Sequence, residues 1–164
     1  MIKVARHTEG DSRVAKEIPT FSQFDVANRS HVNNVTELAG YFARQLEYRV
    51  KRHDYTKLVE PYRSMFYRDL CATIEGQMDF FDGKWSKIHY EQMERHHLDR
   101  HCPEDVNMFD VIEMICDCVA AGMARSGEVY DVNIPADVLQ KAVVNTVQLM
   151  KDVIEVVDPW GEDR

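Results

Sequence analysis

The run Arg52-His53-Asp54-Tyr55-Thr56-Lys57 sets an imidazole beside a carboxylate. Such a pair can grip one divalent metal ion, and the ammonium three residues further on is placed to reach a phosphate oxygen bound to it. A bare His-Asp dipeptide says little, so its company decides. Four of the seven histidines, His89, His96, His97 and His101, crowd into one short stretch, and the i, i+4 spacing of His97 and His101 would stack two imidazoles on one face of a helix. A solvated helix end, its histidines meeting the C-terminal dipole, reads the same way. Further on, Asp110, Glu113 and Asp117 fall at i, i+3 and i+7, an acidic stripe on an otherwise apolar segment. A carboxylate buried there must be hydrogen-bonded, paired with Arg or Lys, or bound to a metal, because removing an isolated charge from water is costly.

With His31 added, the His53-Asp54 pair, Lys57 and a distal helical Asp117 resemble the HD superfamily of metal-dependent phosphohydrolases. More narrowly, His96-His97-Leu98-Asp99-Arg100-His101-Cys102-Pro103-Glu104, followed by Asn107 through Asp117, is similar to a family of small HD-like proteins of unknown function from phages and bacteria. Cys102 stands where that family carries a His, and Cys118 where it carries a Trp. The resemblance implies His31, His53, Asp54 and Asp117 as ligands of one ion. In a dinuclear centre His97 and His101 would join them, with His96 and His89 next in order. It implies Mn, Co, Ni, Zn or Mg as the ion and a nucleotide, a nucleoside mono- or triphosphate, as the substrate of phosphate ester or anhydride hydrolysis. Lys57, with Arg100 or Arg52, would meet the developing negative charge, and Glu113 or Glu104 would act as general base or orient a ligand imidazole. Two other readings compete. Some HD proteins hold two Fe ions and activate oxygen, and a small phage-type protein can keep the bundle as a non-catalytic interaction module.

The elements that must position these residues are helices. Apolar positions Val35, Leu38, Phe42 and Leu46 follow Ser30, a plausible cap, at helical spacing. Pro61 precedes Met65, Phe66, Leu70 and Ile74, with Gly76 as a stop, and a third helix is expected from Trp85 to Arg100, ended by Pro103. The stripe Phe109, Ile112, Cys116, Val119 and Met123 predicts a central helix from Val106 to Arg125, and Val138, Leu139, Val143, Val147, Met150 and Ile154 predict a last one after Pro135. The fold class is therefore all-α, an HD-like bundle of about five to six helices, and no segment demands a sheet. Residues 1–20 read as an irregular or short extended arm, 21–158 as a single HD-like domain and 159–164 as a tail. One geometric condition attaches to His31. A single straight helix would hold it about 33 Å from His53, so for both to ligate one ion the chain must reverse between Gly40 and Arg49 as a helical hairpin.

Composition bounds the rest. A chain of 164 residues with 45% hydrophobic content can bury one core. Its net charge of −8 argues against a nucleic-acid polymer as partner, whereas a small phosphorylated molecule can be met locally by metal ions and one or two basic side chains. Self-association into a homo-oligomer is compatible with this composition. No apolar run suits a membrane span, and the N-terminus lacks a signal-peptide core, so a cytoplasmic protein is expected. Cys71, Cys102, Cys116 and Cys118 lack paired metal-ligand spacing and read as reduced thiols.

Overall fold

A computed structural model describes residues 1–158, and the tail expected at 159–164 lies outside the described residues. The fold is all-α, with five α-helices among the described residues: α1 (Phe21–Val50), α2 (Tyr62–Ile74), α3 (Lys84–Ile88), α4 (Met108–Ser126) and α5 (Ala136–Val153). Two short strands, β1 (Ile2–Ala5) and β2 (Ile154–Val157), pair in parallel with Ile2 opposite Ile154 and Ala5 opposite Val157. The N-terminal arm is thus not wholly irregular. The described residues divide into two compact units, 1–45 with 147–158, and 46–146.

In the first unit the strand pair is completed by a side chain. Asn34 accepts the Ala5 N–H at 3.0 Å and donates to the Ala5 carbonyl at 2.9 Å, so an amide stands in for a neighbouring strand. Gly10 packs on the backbone at Gln23, where any Cβ would fall 2.0 Å from the Gln23 carbonyl oxygen. Helix α1 starts nine residues before Ser30. Its N-terminus is a reciprocal cap in which the Thr20 N–H donates to the Gln23 side chain at 2.8 Å and the Gln23 N–H donates to the Thr20 hydroxyl at 3.3 Å. The helix then runs through Gly40 without a break. One interior Gly costs only about 1 kcal/mol, too little to interrupt a long helix. The expected reversal between Gly40 and Arg49 is absent, and His31 stays on an exposed face of α1.

The second unit packs Leu98, Val106, Val111, Met114 and Ala142 into one apolar cluster, with Cys102, Met108, Cys118, Ile134 and Val138 against it. A second layer is aromatic: Phe66 stacks on fully buried Trp85 at 4.1 Å, and Trp85 stacks on His89 at 4.3 Å. The expected third helix is α-helical only in its first turn and ends before residue 94. Helix α3 stops at Ile88, a π-turn covers His89–Met93 with the Glu94 N–H donating to the His89 carbonyl at 3.0 Å, and Glu94 is extended. Beyond it burial alternates, with Glu94, His96 and Leu98 inside and Arg95 and His97 less so, the pattern of an extended strip rather than a helix. Helix α4 has a capping box, in which the Asn107 side chain accepts the Phe109 N–H and Asp110 accepts the Asn107 N–H at 2.9 Å, and it ends at Gly127 with φ 76°.

Asp110 does more than cap. Its fully buried side chain pairs with Arg49 at the end of α1 and with Arg95, whose Nε and Nη2 lie 3.1 and 3.0 Å from it. Asp110→Ala takes from Arg49 and Arg95 the buried carboxylate they share and removes one half of the capping box. A loss of about 3–5 kcal/mol is expected in urea unfolding of metal-free protein. Asp105→Ala removes a carboxylate that also pairs with Arg95 but is 78% exposed, and should cost under about 1 kcal/mol. Equal losses for the two variants would refute the buried pair as the anchor.

Candidate metal centre

His53 and Asp54 follow directly on α1. The helix unwinds with the His53 N–H donating to the Val50 carbonyl at 3.2 Å, and Asp54 then takes the left-handed conformation, φ 53° and ψ 28°, before a 3-10 turn at Tyr55–Lys57. The π-turn and extended strip deliver His89, Glu94, His96 and His97, while α4 delivers Glu113 and, one turn later, Asp117.

These groups converge on Asp54. Its Oδ1 lies 3.3 Å from His89 Nε2 and 3.8 Å from His96 Nε2, and its Oδ2 lies 3.4 Å from His53 Nε2. Asp117 closes the other side, 3.6 Å from His53 Nε2 and 3.9 Å from His96 Nε2, and His97 Nε2 is 2.9 Å from His89 Nε2. Four imidazoles therefore turn Nε2 inward. Two of them are held from behind at Nδ1: His53 Nδ1 is 3.1 Å from Glu113 Oε1 and His89 Nδ1 is 2.6 Å from the Thr56 hydroxyl, whereas His96 Nδ1 lies 3.4 Å from the same Glu113 oxygen without a hydrogen bond. A polar group at the second nitrogen is how metal-binding imidazoles are oriented. Four overlapping sets bring donor atoms within 4.8 Å of one another, namely His53/Asp54/His96, Asp54/His89/His97, His96/His97/Asp117 and Glu94/His96/Glu113. The cluster can hold a metal ion.

Asp54 Oδ1, Glu94 Oε1 and both nitrogens of His96 are buried without a hydrogen bond from the protein. Each such group costs about 1–3 kcal/mol, which a fold tolerates where it serves a function. A cation beside Asp54 Oδ1 and His96 Nε2 would satisfy both.

Charge is divided unevenly over the cluster. The facing Asp117 and Glu113 carboxylates raise His53 to about 10, and the same His53 holds Asp117 down at about 2. Burial lowers His89 to about 4, His97 to about 3, and His96 as well, so three imidazoles are neutral donors at pH 7. Burial also pushes Asp54 upward, but Lys57 and the neighbouring imidazoles outweigh it and hold the carboxyl below its ordinary value. Glu94 is raised to about 7 by burial and by the Asp54 and Glu113 charges.

Of the residues singled out in the sequence, the structure gathers His53, Asp54, His97, Asp117, Glu113 and Lys57, the last paired with Asp54. It leaves out His31 and His101, both exposed and outside every ligand set. His101 does not share a helix face with His97, because their segment is a turn. Glu104 is exposed, Arg52 donates to the Tyr48 hydroxyl at 3.0 Å, and Arg100 lies 3.8 Å over the Phe81 ring. His89 and His96, placed behind His97 and His101 in the sequence reading, are the most deeply buried histidines of the cluster, and Glu94 was not singled out at all. Its signal was the alternation Glu94-Arg95-His96, which a helical reading hides.

An all-helical protein with a buried His, Asp and Glu cluster able to hold a metal is the class these features define. The chain belongs to the Family of unknown function (DUF5662), whose profile matches residues 21–157. No curated protein and no solved structure matches it.

Two outcomes test the cluster. His96→Leu removes two unsatisfied nitrogens from the interior, so metal-free protein should lose no stability on chemical unfolding, while the shift of Tm on adding Mn²⁺ should vanish; a metal-free loss above about 2 kcal/mol would show that His96 is a structural residue. The second outcome concerns protons. His53 is charged below about 10, and its pairing stabilises the metal-free fold fully below its unfolded value of 6.5 and is lost as pH rises through about 10. A metal ion needs the neutral ring, so the linkage on metal uptake has the opposite sign and affinity rises with pH. Calorimetry at pH 7.5 in buffers of different ionisation enthalpy should find about one proton released per protein. Release of none would remove His53 from the ligand set.

Proposed function

We propose that this protein is a metal-dependent phosphohydrolase of the HD type, acting on a phosphate ester or anhydride of a nucleotide. The observation that carries the reading is the sharing of Asp54 between two ligand sets, His53 with His96 and His89 with His97, backed by Asp117. His53, Asp54 and His96, with His89, His97 and Asp117, would hold one or two divalent ions. Mixed imidazole and carboxylate donors fit Mn, Co, Ni or Zn, and Mg less well because it favours oxygen. Bound there, the metal supplies Lewis acidity toward the phosphoryl oxygen and activates water.

The side chains do the rest. His53 and Asp117 are 27% and 26% exposed, so the cluster opens to solvent on their side, beside Lys57 at 32%. A phosphoryl group entering there meets the Lys57 ammonium. Glu113, buried behind His53, acts as an orienting partner of the ligand imidazoles and not as a base in contact with substrate. The HD pattern's first His has no counterpart at His31, and His96 takes the place beside His53 that such a ligand would fill, the two rings lying 4.4 Å apart. The net charge of −8 favours a free nucleotide over a polymer.

The four-imidazole donor set also suits iron, which keeps an HD-type di-iron oxygenase as the second reading. Stripped protein reloaded with Mn²⁺, Co²⁺, Ni²⁺, Zn²⁺ or Mg²⁺ should release phosphate from a nucleoside mono- or triphosphate. Asp54→Asn should abolish turnover together with metal binding, and Lys57→Ala should keep the metal and lower kcat by about 10²–10³. Protein isolated with two irons and inert toward every nucleotide would decide for the oxygenase.

A further inference from the structure

Asp54 spends its two oxygens differently. Oδ1 faces His89 and His96 and accepts no hydrogen bond, whereas Oδ2 carries the Lys57 ammonium and faces His53. The pairing is built into the local chain. The left-handed Asp54 starts a tight turn in which the Lys57 N–H donates to the Asp54 carbonyl at 2.8 Å, and this folds the lysine back over the carboxylate. Lys57 is also the more exposed partner, 32% against 12%.

A divalent ion between His53 and Asp54 that used Oδ2 would need the oxygen that Lys57 occupies, and one that used Oδ1 would still sit beside a like charge in a half-buried place where repulsion is little screened. Resting on the reading of Asp54 as a metal ligand, we propose that Lys57 is a built-in competitor of the metal that becomes an anion-binding group when displaced. In metal-free protein the ammonium neutralises Asp54 and weakens metal binding. Once an ion takes Asp54, the ammonium is freed at the open side of the cluster and binds the phosphoryl group. Metal and anion then favour each other. An anion that draws Lys57 off Asp54 tightens metal binding by the factor by which the metal tightens the anion.

The test is Mn²⁺ titration of chelator-stripped, full-length protein, with free Mn²⁺ followed by electron paramagnetic resonance, with and without inorganic phosphate. Lys57→Gln keeps a hydrogen-bond donor for Asp54 without the charge, and Lys57→Met removes both; thermal unfolding checks that each is folded. Both variants should bind Mn²⁺ at least tenfold more tightly than the parent. Phosphate should tighten Mn²⁺ binding strongly in the parent and several-fold less in either variant, while Lys57→Arg should behave like the parent. Should both folded variants bind Mn²⁺ no more tightly than the parent, the competitor role is overturned while the metal centre stands. If neither the parent nor any variant takes up Mn²⁺, Co²⁺ or Zn²⁺, the metal-centre reading itself falls.

Discussion

The buried carboxylate of Asp110 is the constraint on which the second unit depends. It sits in the first turn of α4, satisfies the Asn107 N–H, and pairs with Arg49 and Arg95 at no exposure to solvent. Each partner lies close in sequence to donors of the cluster. Arg49 precedes His53 and Asp54 by a turn, Arg95 lies between Glu94 and His96, and α4 itself carries Glu113 and Asp117 on the stripe that begins with Asp110. One acid thus fixes three segments whose next residues are the candidate ligands. The pairing is worth keeping for that geometry even though a buried ion pair adds little net stability over apolar packing.

The acidic stripe was readable because α4 is regular. Asp110, Glu113 and Asp117 keep helical spacing, and the segment's apolar face, cap and Gly127 stop all agree, so position on the helix follows from sequence alone. The histidine segment was not readable for the opposite reason. Residues 84–101 contain no Pro and only helix-compatible types, so local propensity favours one helix, and the i, i+4 spacing of His97 and His101 then looks meaningful. Tertiary demand wins there. The π-turn and the extended strip bury Glu94 and His96 against α4, and the alternation that results sets His97 beside His89 and His96 instead of stacking it with His101. The long α1 shows a third case. Its true start, the Thr20 and Gln23 cap, was present in the sequence but lay outside the apolar repeat that marked the helix.

Inside the cluster, burial and charge pull on chemically identical rings in opposite directions. At His89 and His97 the loss of water outweighs the pull of the Asp54 carboxylate, and they stay neutral. His53 lies between Asp117 and Glu113 and keeps its proton. Its proton and a metal ion answer to the same carboxylate field, so the two are alternatives at Nε2, and the carboxylates that stabilise the one prepare the place of the other. Arg49 keeps Glu113 from being an unpaired buried charge whichever is bound, since its Nε stays 3.7 Å from Glu113 Oε2 on the side away from His53 Nδ1.

Consecutive side chains normally diverge, by about 100° around a helix and about 180° along a strand, so neighbouring His and Asp do not ordinarily meet at one point. Here His53 Nε2 and Asp54 Oδ2 are 3.4 Å apart, and what allows it is the backbone at Asp54. A positive φ at a residue with a side chain costs about 1–2 kcal/mol, least for Asn or Asp because the short polar side chain can bond locally. Glycine would remove that cost and the carboxylate with it. The local bonds of Lys57 to both the carbonyl and the carboxylate of Asp54 offset part of the strain. The backbone turn that the Lys57 N–H closes on the Asp54 carbonyl, which any side chain at that position can make, is therefore a condition of the His-Asp geometry: without it the adjacent pair would point apart and the two ligand sets would lose the carboxylate they share.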